Sequence, residues 1–227
     1  MRCLIWHRGQ DCQWVLGRFK ETPPLLRVLN KPLVDYYLDF CVEAGIGDIR
    51  IVSDTPDGRI ERYVMNGSRW GLSVSYGLIN DTDGLDTVLA KNRAFYSGES
   101  LLVVEGAFFI QYDEKPADCG FLRPEAAPKC LDCDSGRLWC LQTDGIDSTS
   151  LTAAQAVSES CGLRLASLSS IQAYYELSMH LLSQESHQYT LPGYSQQDQV
   201  FWGRHVEVSR YVTVKGPALI GDDVQLK

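Results

Sequence analysis

Cys119, Cys130, Cys133 and Cys140 fall within 22 residues, and the middle two form a C-x-x-C pair. Tetrahedral zinc needs four soft ligands and often takes two from such a knuckle. No second C-x-x-C is present, so buried or idle thiols and redox chemistry stay open beside a structural zinc site. His7, His180, His187 and His205 show no ligand spacing. His180 lies in a helical pattern and reads as a surface or cap residue. "DEKP" (113–116) reads as a turn.

A second candidate is "TPPLLRVLNKP" (22–32), with three prolines in eleven residues directly before an amphipathic helix. Such rigidity holds a loop at one angle. The charge balance limits what it could hold. Twenty-one Lys and Arg against 29 Asp and Glu give a net charge of −8. Phosphate-rich partners need clustered cations, so nucleic acid is excluded as a main partner and a triphosphate is poorly served. The apolar run Cys3–Trp6 is too short for a signal sequence or a membrane span. The reading is therefore cytoplasmic, with reduced thiols and no membrane partner.

The elements that must position these groups alternate. Strands are expected at 2–6, 48–52, 72–79 and 101–105, with helices at about 32–44, 57–67 and 85–96. In the first helix Leu33, Tyr37, Phe40, Cys41 and Ala44 recur on one face of a 3.6-residue period. Pro32, Asp35 and Gly45 suit its start, its positive end and its stop. Strands spaced by helices imply right-handed βαβ crossovers and an α/β doubly wound, mostly parallel sheet. Ligands of such sheets lie beyond the carboxyl ends of the strands, here after Trp6, Ile79 and Glu105. The second half reads as a hairpin at 130–141, a helix around 151–160, a strand at 163–168 and a helix around 169–184.

The C-terminal residues run in sixes: WGRHVE, VSRYVT, VKGPAL, IGDDVQ. The first column is Trp202, Val208, Val214, Ile220 and Leu226; the fifth is Val206, Val212, Ala218 and Val224. This period is that of a hexapeptide-repeat, left-handed parallel β-helix. The expected division is an α/β domain over 1–195 and a β-helix over 196–227. An uncapped coil presents bare strand edges, so the reading expects a truncated chain or a covering subunit.

Taken together, the sequence resembles the sugar-1-phosphate nucleotidyltransferases, also called nucleotide-sugar pyrophosphorylases. "PLLRVLNKPLVDYYLDFCVEAGIGDIRIV" (24–52) is similar to that family's P-K-P-L-L-P-V-x-N-K-P run and the A-G-I turn after it. "LPGYSQQDQVFWGRHVEV" (191–208) resembles the approach to its β-helix. The resemblance implies nucleotidyl transfer, in which a sugar phosphate attacks a nucleoside triphosphate and pyrophosphate leaves. It also implies a G-x-G-T-R loop, a lysine within P-K-P, a base-reading Gln with a G-T-A turn, and a G-D whose Asp holds the metal.

Carried over residue by residue, these motifs are degenerate. The Gly-rich loop falls on Gly9-Gln10-Asp11-Cys12-Gln13, so its second Gly is Asp11 and its Arg is Gln13. The lysine becomes Pro23, and the later Pro becomes Arg27. The base-reading Gln falls near Ile79, the G-T-A turn on Gly84-Leu85-Asp86, and the G-D on Gly106-Ala107. Charge-assisted hydrogen bonds are worth about 1.5–3 kcal/mol each. Two losses thus approach a thousandfold at about 1.4 kcal/mol per decade.

The expectation is a catalytically degenerate relative with no cofactor. It would act as a scaffold, regulatory or assembly subunit in nucleotide-sugar or polysaccharide metabolism, joined to its own copies or to a partner through the hexads. A residual pocket for a nucleotide or sugar phosphate would involve Arg8, Gly9, Asp11, Gln13, Ile79, Gly84, Glu105 and Gly106. The alternative is an active transferase that uses Mg²⁺. Arg8, Arg18 or Lys20 would then replace the lost cations and Glu105 the metal ligand. An acyltransferase built on a longer β-helix is a third reading.

Overall fold

A computed structural model describes residues 1–55, 58–123, 125, 127–142, 155–156, 162–183 and 194–227. Strand β1 (Arg2–His7) is followed by a loop and a short helix α1 (Gln13–Phe19). A 3-10 turn (Pro23–Leu25) and the two-residue strands β2 (Arg27–Val28) and β3 (Lys31–Pro32) lead into α2 (Leu33–Glu43). Next come β4 (Asp48–Ser53), α3 (Arg59–Val64), β5 (Ser73–Leu78), α4 (Leu85–Lys91), α5 (Arg93–Tyr96) and β6 (Leu101–Gly106).

Strands β1, β4, β5 and β6 are mutually parallel, with β1 between β4 and β6. The sheet continues past β6 through β9 (Gly136–Leu141), β8 (Lys129–Cys133) and β10 (Gln155–Ala156). Pairs β6–β9 and β8–β9 are antiparallel, so the hairpin turns the far side of the sheet mixed. A separate antiparallel pair joins β7 (Phe108–Tyr112) to β11 (Leu163–Ser167), and α6 (Ile171–Ser183) follows.

The pleat sends alternate residues to opposite faces. Cys3, Ile5, Ile49, Ile51, Leu102 and Val104 enter one core, shared with α2, α3 and α6. Leu4, Trp6, Val52, Leu101 and Val103 enter the other, beneath α4 and α5. Helices therefore cover both faces, as the alternating pattern requires. Helix α2 stops where Gly45 takes a left-handed φ of 71° and Ile46 N–H donates to Cys41 O at 2.8 Å. Glycine adopts that conformation without a Cβ clash.

Three expectations are corrected. Between β1 and the proline elbow, where no helix is expected, lies α1. The helix expected at 85–96 divides at Asn92 into α4 and α5. Of the helix expected around 151–160, Gln155–Ala156 forms strand, paired in parallel with Lys129–Cys130. The remainder of that segment lies outside the described residues.

The C-terminal segment pairs with itself. β13 (Val200–Trp202) runs parallel to β15 (Ala218–Ile220), with Trp202 opposite Ile220. β14 (Glu207–Val208) runs parallel to β16 (Gln225–Leu226), with Val208 opposite Leu226. Both offsets are 18 residues, three of the six-residue units. β12 (Ser195–Gln197) closes the near edge antiparallel to β13.

Candidate functional site

The order β5-β4-β1-β6 reverses between β1 and β6, and the crevice at that reversal is where open α/β sheets bind ligands. The loop after β1 lies there. Its Arg8 N–H donates to Asp11 Oδ2 at 2.8 Å, and Arg8 Nε donates to Asp11 Oδ1 at 3.2 Å. Asp11 N–H returns to Arg8 O at 3.0 Å. Gly9 N–H donates to Asp54 Oδ1 at 2.8 Å. The Arg8 guanidinium also lies 5.2 Å from the centre of the Trp6 ring, a cation–π distance. Burial pushes the Asp11 carboxyl up, partly offset by its bonds to Arg8.

Cys12 caps α1 in the left-handed region at φ 51°. Its Sγ donates to Leu168 O at 3.1 Å, and Trp14 Nε1 donates to the same oxygen at 2.8 Å. Leu168 N–H reaches Ser135 Oγ at 2.9 Å. Burial, followed by the Asp11 charge, pushes the Cys12 thiol up to about 12. Gln13 sits exposed on α1.

The proline elbow is held at several points. Pro23 and Pro24 are buried in its 3-10 turn. Leu29 and Asn30, at φ 48° and 66°, form the tight link between β2 and β3, both left-handed as a type I′ turn demands. Leu33 N–H donates to Leu26 O at 2.9 Å, Tyr36 Oη to Val28 O at 2.9 Å and Tyr174 Oη to Arg27 O at 2.8 Å. Arg27 Nη1 bonds Asn30 O at 2.9 Å on the exposed surface.

On the far side of the crevice, Gly106 has φ 96°, and a Cβ there would lie 2.5 Å from Ser135 O. Ala107 follows, 2% exposed, with its N–H donating to Ser135 O at 3.0 Å. Glu105 accepts from Trp139 Nε1 at 2.9 Å. A cavity of about 530 Å³ opens here, with Arg8, Asp11, Glu105, Asp132, Asp134 and Arg137 among its lining. Four carboxylates face two guanidiniums, a balance opposed to a polyphosphate. The surplus of negative charge would suit a cation, but an alanine occupies the expected ligand position and no group of three or more side chains placed to hold a metal occurs among the described residues.

Of the expected pocket residues, Arg8, Asp11, Glu105 and Gly106 line this cavity with Gly9 in the adjoining loop, whereas Gln13, Ile79 and Gly84 do not. Ile79 is buried in the core under α4, its N–H donating to Ser53 O at 3.1 Å. Gly84 caps α4 without lining the cavity. Asp83, which no motif flagged, is buried, accepts Asn80 N–H at 2.8 Å and pairs with Lys91.

The four cysteines do not converge. Cys130 and Cys133 lie on one strand, and an odd separation turns them to opposite faces. Cys130 packs with the core under α4, whereas Cys119, Cys133 and Cys140 pack with the other. No group of three or more metal-ligating side chains occurs among the described residues. Among these residues no helix is long and apolar enough to cross a membrane.

Residues 19–118 match the sequence model of the nucleotidyl transferase family. A glucose-1-phosphate thymidylyltransferase of Neisseria meningitidis is 31% identical over 83 residues, which are 36% of this chain and 29% of that protein. One from Mycolicibacterium smegmatis is 28% identical over 157 residues, 59% of this chain and 54% of that protein. The chain thus spans between about a third and a half of the curated relatives it matches. Among solved structures, a UDP-glucose pyrophosphorylase complexed with UDP-glucose superposes with a TM-score of 0.55 at 14% identity, covering 79% of this chain and 97% of that one. A putative glucose-1-phosphate thymidylyltransferase from Bacillus anthracis gives 0.52 at 14% identity, covering 71% and 78%. At that identity the likeness concerns the fold alone.

Proposed function

The chain is a member of the sugar-1-phosphate nucleotidyltransferase family, and we propose that it has kept the frame of that family and lost its reaction. The observation that carries this reading is the fate of two positions. The resemblance expects a lysine at Pro23 and a metal carboxylate at Ala107, and both residues are packed into the interior. Nucleotidyl transfer depends on positioning and on neutralising developing negative charge. A proline and an alanine supply neither. Arg8 does not substitute, because its guanidinium is already committed to Asp11 and Trp6.

The role proposed is that of a scaffold or regulatory subunit in nucleotide-sugar or polysaccharide metabolism. Residues 196–227 form its assembly surface, read as one coil of a left-handed parallel β-helix appended to an α/β domain over 1–195. The 18-residue offset between paired strands supports the coil, since three hexads complete one turn.

The test is release of pyrophosphate from a panel of nucleoside triphosphates with Mg²⁺ and sugar 1-phosphates. No turnover above an Mg²⁺-only blank is expected. Sustained release by the wild-type chain would refute the proposal and favour an active transferase drawing on the exposed Arg18 or Lys20.

A further inference from the structure

We propose that the face shared by α1, the proline elbow and α6 docks a short acidic segment of a partner protein that brings one bulky apolar side chain. Trp14, Phe19 and Tyr174 meet there as an aromatic trio, with ring centres 5.9, 5.7 and 6.0 Å apart. A cleft of about 320 Å³ opens beside them, lined by Phe19, Leu25, Leu26 and Tyr174 together with Glu21 and Arg27. The surface around it is apolar. Leu16 on α1 and Ile171 and Tyr175 on α6 are 51%, 51% and 58% exposed, and Phe19 is 49% exposed. Large apolar side chains left in water together mark an interaction surface.

Charge selects the occupant. Arg18 and Lys20 flank Phe19 in sequence, and Arg27 lines the cleft. All three are exposed, and none pairs with a carboxylate among the described residues. The carboxylates of the same elements are engaged, Glu21 with Arg59 at 3.0 Å and Glu176 with Gln172 Nε2 at 2.7 Å. The face is therefore cationic in a chain whose net charge is −8. Acidic residues complement it, whereas a second copy docked face to face would set cations against cations. The three ring planes meet at 70°, 51° and 61°, so they wall a cleft instead of offering a flat platform for a base or sugar ring. Its volume lies at the small end of ligand cavities, about 300–1,000 Å³, and suits a single side chain.

This inference is independent of lost catalysis, so it and the pyrophosphate-release test fail separately. The experiment uses the full chain and fluorescein-labelled peptides of about ten residues, Asp and Glu around a central Phe, Leu or Trp. Matched sets carry Lys for the acids or Ala for the anchor, and binding is read by anisotropy. An acidic, anchored peptide should bind saturably below about 1 mM. It should bind at least tenfold tighter than its Lys or Ala counterpart. Phe19→Ser should weaken it at least tenfold. Arg18→Glu/Lys20→Glu should transfer the preference to the Lys set, a reversal that misfolding cannot produce, and Arg27→Glu serves if that pair does not fold. No binding in any set, equal binding of the Lys or Ala sets, or full binding by Phe19→Ser overturns the proposal. So does a concentration-dependent dimer of the wild type that Phe19→Ser dissolves, which would give the face to a second copy.

Discussion

The hydroxyl of Tyr37 donates to Phe108 O at 2.5 Å and accepts Phe108 N–H at 3.1 Å, so one phenol satisfies both backbone groups of a residue 71 positions away. Tyr37 stands on α2 just past the proline elbow, and Phe108 follows Gly106 and Ala107. The elbow's helix and the crevice wall are therefore tied together through one side chain.

Tyr37→Phe leaves a buried N–H and C=O without that partner. Stability should fall by about 2 kcal/mol, from about 1–3 kcal/mol for unsatisfied buried groups. For a chain of this size that lowers Tm by about 4–8 °C in calorimetry. An unchanged Tm would show that the two groups find water instead.

Gly106→Ala should be at least as damaging, because its φ of 96° disfavours a side chain and the added Cβ would meet Ser135 O at 2.5 Å. Gly17→Ala, with nothing within 4 Å and a helical position, should be neutral or stabilising by up to about 1 kcal/mol. Urea unfolding of the two variants separates backbone strain from composition. Equal midpoints would contradict the strain.

Much of this frame was legible because the periods are clean. The β1, β4 and β6 segments alternate between two cores, and Gly45 closes α2, although Val34, Tyr36 and Leu38 are buried beyond the one face its period marks. Helix α1 was not legible: it has seven residues, a glycine inside, and a left-handed cysteine where a capping side chain would be expected. β7 hid in the apolar run behind β6, separated only by the turn at Gly106. The expectation of altered chemistry at 11, 23 and 107 comes from motif position alone. That Asp54 bonds Gly9 could not be read so, because no local pattern reports a contact 45 residues apart.

Asp35 offers a pH-dependent check. It is buried at the start of α2, accepts Tyr63 Oη at 2.9 Å, and burial raises its carboxyl above the ordinary 3.8. A folded-state pKa above the unfolded one gives stability that is complete below the unfolded value and fades as pH rises through the folded value. Asp35→Asn should therefore raise Tm at pH 7. The gain should shrink toward pH 4. A gain that grows on acidification would contradict the burial argument.

The hexad register predicts an asymmetry. Ile220 is half-buried opposite Trp202, whereas Lys215 is exposed. Ile220→Asn should open the 195–227 segment to protease and accelerate its amide exchange at least tenfold, the effect of a loss of about 1.4 kcal/mol. Lys215→Asn should do neither. Equal effects would place the two side chains in equivalent surroundings and remove the coil.

Calorimetric titration of the full chain with Mg²⁺–nucleoside triphosphates decides whether the reaction has been lost. No saturable heat is expected up to millimolar ligand for any of the common bases, because Pro23, Gln13 and Ala107 offer no charge to the phosphates or the metal. A micromolar Kd for one of them, abolished by a competing nucleotide-sugar, would contradict it.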